Sequence, residues 1–326
     1  KTRAILLVTI SLTFIRAVHF GSCLILQSLF VLLLLAVIPG WKLSDGGDAL
    51  ARSRFQDRLR RLALACLLAA FVSGFLWIWF AIALMSGSGL LESLQPGLFW
   101  MVLTQTPPGQ IWLLRAGIAL VLTVGVFFVG TQRGLAIPLC ALSATALTAS
   151  LAWLGHAGAG EGPNETLHLA ADLLHLVAAG IWPAGLAPFA VFLACFLKAR
   201  DPALLLTACV ATRKFSAVSF MTVGALFASG IANSYFLVGS FAALLSSDYG
   251  LLLLLKIVLA CAAVAIGAWN LLILKPRLAI AGGSLPGETH SAALSKVARN
   301  VWIELWLASL VLLVVGLLGI TPPATH

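Results

Sequence analysis

Two histidines and an acid share one face of an apolar segment. Glu165, His168, Asp172 and His175 stand at i, i+3, i+7 and i+10. At about 100° per residue, His168, Asp172 and His175 fall within roughly a 60° sector of a helix. The two imidazoles are then about 10.5 Å apart along the axis, too far to hold one metal ion between them. They read as successive stations on a polar track, or as members of separate sites. Asp172 lies one turn from each and could accept the spare N–H of a ligating imidazole, fixing its tautomer and orientation. The alternative is that these groups satisfy one another inside a packed bundle. Imidazole suits copper, zinc, iron or nickel, so His156, His168 and His326 form a candidate outer metal-capture site. Thioethers favour Cu(I), which adds Met85 and Met101, although a methionine in an apolar segment is also ordinary packing. Spacing alone supports a metal path or a proton path.

These residues need elements to position them, and composition says what kind. Of 326 residues, 61% are hydrophobic and only 10% are charged, with a mean hydropathy of +1.07. Soluble domains carry about 25% charged residues, so a water-soluble protein and a disordered chain are both excluded. The expected fold is an all-α, polytopic integral membrane bundle of about eight transmembrane helices, read as a single domain over 1–326. Spans are expected near 4–38, 62–85, 110–130, 135–155, 166–194, 215–241, 249–274 and 301–320. The apolar runs are continuous rather than alternating, which excludes a β-barrel. Residues 96–104 predict a short interfacial helix, with Phe99 and Trp100 at headgroup level. The first span, about 52 Å long as a helix, exceeds a ~30 Å hydrocarbon core. It should tilt, project into water or bend near Gly21. No internal repeat is read, and a start at Lys1 rather than Met suggests an upstream segment. The six cysteines are scattered singly with no CxxC pair, so neither a disulfide framework nor a thiolate zinc site is indicated.

Charge sets the orientation. The loops after spans one, three, five and seven hold fifteen Lys or Arg, from Lys42 to Arg299. Those after spans two, four and six hold none, only Glu92, Glu161, Glu165 and Asp248. Odd loops are therefore expected inside and both termini outside. The net charge of +9 is a topology signal, and nucleic-acid binding is not expected. Within the spans stand Arg16, His19, Arg115, Lys256 and Glu304, each costly in hydrocarbon. Arg115 and Lys256 lie within about two turns of the outer ends, where they could snorkel. Arg16 and Glu304 are expected to share a polar network near His19. Trp182, Pro183 and Gly185 follow the histidine stripe; the proline frees the carbonyl of Ala179 and predicts a kink. Such a kink could open a cavity where an ion pauses. His290 falls in an inner loop and is expected to be solvated.

The run from Leu167-His168-Leu169 through His175-Leu176-Val177-Ala178-Ala179-Gly180-Ile181-Trp182 to Gly185-Leu186 resembles the copper resistance D (CopD) family of inner-membrane proteins. Further matches, in family order, are Arg16 with His19, Gly155-His156-Ala157, and Lys214-Phe215-Ser216. Asp248-Tyr249-Gly250 with Lys256, Asn270 with Pro276, Glu304, and the terminal Pro322-Pro323 complete the series. Ala184 departs from the family's first glycine of a Gly-Gly pair. The resemblance implies copper handling, commonly inward copper movement beside a periplasmic copper-binding partner of the CopC type.

The expected protein is thus a multi-pass component of a bacterial inner membrane, with both termini periplasmic. It would move copper from periplasm to cytoplasm along a histidine-lined path, with copper ion and the lipid bilayer as its partners. No catalytic residues are assigned and an enzyme is not expected. One alternative is a redox protein whose haem b is held by His19 and His175. Another is a non-transporting copper sensor or assembly partner.

Overall fold

The computed structural model describes residues 2–43, 49–129, 135–155, 158, 164–197, 201–280 and 286–324. Among them every regular element is helical. Eight helices are long and apolar enough to cross a membrane: Ile10–Leu43, Leu50–Ser86, Pro107–Phe128, Ala136–Leu154, Glu165–Leu197, Pro202–Val238, Asp248–Leu278 and Glu288–Leu318. These are spans one to eight below, and they make the chain a polytopic helical membrane protein.

Spans two, six and eight each start about a dozen residues before the hydropathy signal does. Their early turns carry Arg52, Arg58, Arg61, Arg213, Lys296 and Arg299. Arginine and lysine are good helix formers, so the helix continues past the apolar stretch by roughly 18 Å. The interfacial helix appears as Pro96–Gln105. A second short helix, Phe241–Ser246, precedes span seven, where the sequence suggested the end of span six.

Three prolines interrupt the spans. Span one is α-helical through Gly21 and widens instead into a π-turn at Leu33–Val37, just before Pro39. The expected bend at Gly21 is therefore misplaced, because the missing N–H of Pro39 and its ring clash act on the preceding turn. Span seven repeats the pattern, with a π-turn at Asn270–Leu274 ahead of Pro276. Span five breaks between Ile181 and Leu186 around Pro183. The Ala179 carbonyl is not left free: it accepts from the Ala184 N–H at 3.1 Å. Two side chains of span one stitch the break, with Gln27 Nε2 donating to Val177 O at 3.0 Å and Ser28 Oγ to Ala184 O at 3.3 Å.

Span one is central, packed against spans two, four, five and eight. Below the break the core is aromatic, with Phe55 edge-on to Trp41, Phe192 and Phe196, and Phe189 against Phe215. Large apolar side chains such as Phe220, Met221, Ile231 and Trp306 face outward and exposed, which suits a lipid solvent.

Candidate copper site

The histidine stripe of span five lies against span six as an antiparallel ladder. His168 stacks on Phe236 with ring centroids 4.9 Å apart. One rung further in, Asn233 Nδ2 donates to Asp172 Oδ1 at 3.2 Å. On the next, His175 Nδ1 meets Ser229 Oγ at 3.1 Å. The other ring nitrogen, Nε2, faces Lys256 Nζ of span seven at 3.4 Å. An ammonium can only donate, so Nε2 accepts and Nδ1 carries the proton. Ser229 takes that proton as acceptor while donating its own to Ala225 O, which fixes the tautomer. Lys256 is also within electrostatic reach of Asp172. It does not snorkel outward as its position suggested; it points into the bundle at His175.

A second cluster repeats this geometry in the other half of the chain. His19 Nδ1 lies 3.1 Å from both Ser73 Oγ and Ala70 O, and its Nε2 lies 2.6 Å from Arg115 Nη2. The arginine too can only donate, so His19 holds the same tautomer as His175. Arg115 Nη1 donates to Leu147 O at 2.8 Å and Ser150 Oγ at 2.6 Å, and Nη2 reaches Cys23 Sγ at 3.5 Å. At 2% exposure Arg115 is buried rather than snorkelling. Trp77 and Trp112 wall the imidazole at 5.6 and 5.2 Å between centroids.

The correspondence extends to the sequence. Ala69-Ala70-Phe71-Val72-Ser73-Gly74 recurs as Ala225-Leu226-Phe227-Ala228-Ser229-Gly230. A β-carbon on Gly74 would lie 3.0 Å from His19 Cε1, and one on Gly230 3.5 Å from His175 Cε1. Thr106 caps span three through the Gly109 N–H, as Ser247 caps span seven through the Gly250 N–H. Both glycines press on the backbone of the short helix before them. Arg115 and Lys256 each stand nine places into their spans. The chain therefore does contain an internal repeat, spans one to four against five to eight, running parallel because spans one and five point the same way. Its two halves match at scattered positions rather than along a run, which hid it from hydropathy.

A third cluster sits beyond the break in span five. Asn270 Nδ2 donates to Glu304 Oε1 at 2.7 Å, and Asn300 Nδ2 donates to Asn270 Oδ1 at 2.7 Å. Trp182 joins it: a β-carbon on Gly267 would lie 3.4 Å from Glu304 Oε2 and 3.6 Å from Trp182 Cζ2. Arg16 does not. Its guanidinium lies over Trp77 at 4.4 Å and beside Gly319, about 22 Å along span eight from Glu304. The expected Arg16–Glu304 network is thus two separate clusters.

Residues 7–167 match the family described as Copper resistance protein D-like, N-terminal domain, and residues 210–318 match Copper resistance protein D. Over 236 residues the chain is 30% identical to Copper resistance protein D of Pseudomonas syringae pv. tomato, covering 68% of this chain and 71% of that protein. The chain belongs to the copper resistance protein D family. Two further relatives are Copper transport protein CutJ of Bacillus subtilis (strain 168), 28% identical, and Inner membrane protein YebZ of Escherichia coli (strain K12), 31% identical. The alignments cover 58% and 59% of this chain, and only 35% of CutJ and 63% of YebZ. No solved structure matches.

A family concerned with copper gives the clusters a cargo to be tested against. Among the described residues no three His, Cys, Asp or Glu side chains form a metal-holding group. His156 and His326 fall outside the described residues. Gly155, the neighbour of His156, is close enough that a β-carbon there would lie 3.7 Å from Asp172 Oδ2. Met85 and Met101 are exposed on the outer surface of their helices, apart from the clusters. His19 and His175 have both ring nitrogens engaged within separate clusters, so they do not face each other as axial haem ligands. His290 is no solvated bystander: its Nδ1 accepts the Gly287 N–H at 3.2 Å and caps span eight. Ser73, Ser229, Asn233 and Asn300 were missed because uncharged polar residues are common in membrane spans and a lone one does not stand out as a charge does. The doubled Ala-x-Phe-x-Ser-Gly was the signal that could have found the two serines.

Proposed function

We propose that the chain carries copper inward across a bacterial inner membrane, with both termini periplasmic and 1–326 acting as one transmembrane unit. Copper is captured at the outer face by His156 and His168, with His326 at the same face, and passes to Asp172 and His175. The observation that carries this reading is the ladder on spans five and six. It aims one lone pair, His175 Nε2, into the bundle at a depth of about 15 Å from the start of span five, with its tautomer set by Ser229. Below it, Gln27 Oε1 is buried without a hydrogen-bond partner, a spare acceptor on the way to Trp182 and Glu304. The relative named for copper transport supports a copper cargo, and the fifteen-to-none charge asymmetry supports the orientation. A periplasmic copper-binding protein of the CopC type would deliver the ion.

Copper flux into proteoliposomes tests this. The double variant His168→Ala/His175→Ala should remain folded and lose both flux and binding. Full flux and binding would reduce the stripe to packing, and binding without flux in the unaltered protein would make it a copper sensor or assembly partner.

A further inference from the structure

Lys256 holds the lone pair that copper would need. With Nδ1 committed to Ser229, the imidazole of His175 has one acceptor, Nε2, and the ammonium lies 3.4 Å from it. No other hydrogen bond of Lys256 is found among the described residues, and the side chain rises from a position about 12 Å inside the outer end of span seven. A lysine stem of that reach can withdraw its head towards the headgroup region. We infer that Lys256 is a tethered stand-in for the ion: ammonium and copper exclude each other at His175 Nε2, and the exchange is one positive charge for one, which selects Cu(I) over divalent ions. This rests on the reading of His175 as a copper ligand.

The selection follows from charge conservation at a half-buried site within the membrane-spanning bundle. Replacing an ammonium by Cu(I) leaves the charge seated against His175 Nε2 as it was, whatever proton Asp172 carries. Replacing it by Cu(II) or Zn(II) adds one unit in a poorly solvated interior, where an added charge is costly. The withdrawn ammonium also repels what replaces it. At about 6 Å and an effective dielectric near 20, that repulsion weakens a monovalent ion roughly 100-fold. It weakens a divalent ion by the square of that, roughly 10,000-fold.

The experiment is a metal competition on the purified full chain in detergent, reading dissociation constants for Cu(I) and Ag(I) against a chelator, and for Zn(II). The unaltered protein should bind Cu(I) and Ag(I) well ahead of Zn(II). Lys256→Leu should tighten Ag(I) by about 100-fold and Zn(II) by more, so that the preference collapses by about a further 100-fold. Lys256→Arg keeps the charge and should keep the preference. Equal selectivity in the Leu and unaltered proteins overturns the inference, as does a Zn(II) preference in the unaltered protein. His175→Ala separates the two claims. If it leaves Ag(I) binding intact, the copper reading of His175 falls and takes this one with it. If it abolishes binding while Lys256→Leu changes nothing, only the exchange is wrong.

Discussion

The repeat predicts that Arg115 and Lys256, which occupy equivalent places, bear very different loads. Arg115→Lys is the perturbation that reads this, because it keeps the charge and removes the fork. The guanidinium spans two acceptor groups at once, with Nη1 on Leu147 O and Ser150 Oγ and Nη2 on His19 Nε2. A single ammonium cannot sit at both ends. Leu147 O and Ser150 remain bonded to each other at 2.8 Å, so the group that suffers is His19 Nε2, buried at 3% exposure and left with only the Cys23 thiol at 3.8 Å. One charged hydrogen bond lost costs about 1.5–3 kcal/mol, and a weak thiol donor recovers little of it. The expected destabilisation is about 3 kcal/mol. For a chain of this size that lowers the melting temperature by about 4–5 °C. The reciprocal Lys256→Arg, which loses at most one 3.4 Å contact, should shift it by no more than about 2 °C. Thermal unfolding in detergent, followed by circular dichroism on both variants, measures the difference. Copper affinity should be unchanged in Arg115→Lys, since that cluster lies outside the proposed path. Melting temperatures for the two variants within 2 °C of each other would refute the assignment of Arg115 as a structural lock.

Ser229→Ala should lower copper affinity about tenfold, in the range typical for partners that orient a ligating imidazole, with folding intact; unaltered affinity would mean that the tautomer of His175 is set elsewhere. Glu304→Gln keeps the acceptor for Asn270 and removes the charge, so copper uptake should fall at least tenfold while the melting temperature stays put. Loss of stability with uptake scaled to the folded fraction would assign Glu304 to structure alone. For orientation, Leu91→Cys, on the outer connection, should react in intact cells with an impermeant thiol reagent, and Arg277→Cys should react only after lysis. The reverse pattern overturns the topology.

The eight spans were legible because the signal is coarse: about 20 apolar residues have few other uses. Their inner ends were not, since Arg58 and Lys296 are as helical as leucine yet read as loop in hydropathy. The π-turns before Pro39 and Pro276 show the same limit. Proline announces a disturbance, but the backbone distributes it over the preceding turn, where Leu33–Val37 looks like any apolar stretch. Within the site, the one-faced stripe was visible from the 3.6 period, and its partner face was not. Phe236, Asn233 and Ser229 line up with His168, Asp172 and His175 only once span six is laid antiparallel. Depth from a span end also misled for Arg115 and Lys256. Snorkelling and inward pointing are both open to a long basic side chain one or two turns in, and only the presence of an imidazole across the bundle decides between them.

The same scaffold carries opposite electrostatics in its two halves, and this explains why one half would pass a cation and the other would not. Three residues before His19 stands Arg16; three before His175 stands Asp172. The first cluster thus gathers two arginines, two tryptophan walls and a fully buried thiol, with no carboxylate bonded to it among the described residues. A cation arriving there would meet repulsion from Arg16 and Arg115 together, and Arg115 could yield only by breaking bonds to span four. The second cluster offers an acid, an amide and a lysine held by one long contact. Arginine's fork suits a permanent clasp, and lysine's point charge suits one that opens. These two exchanges, Arg16 against Asp172 and Arg115 against Lys256, set apart a half whose arginine is bonded to both span one and span four. The other half has an imidazole whose covering lysine is held by a single 3.4 Å contact.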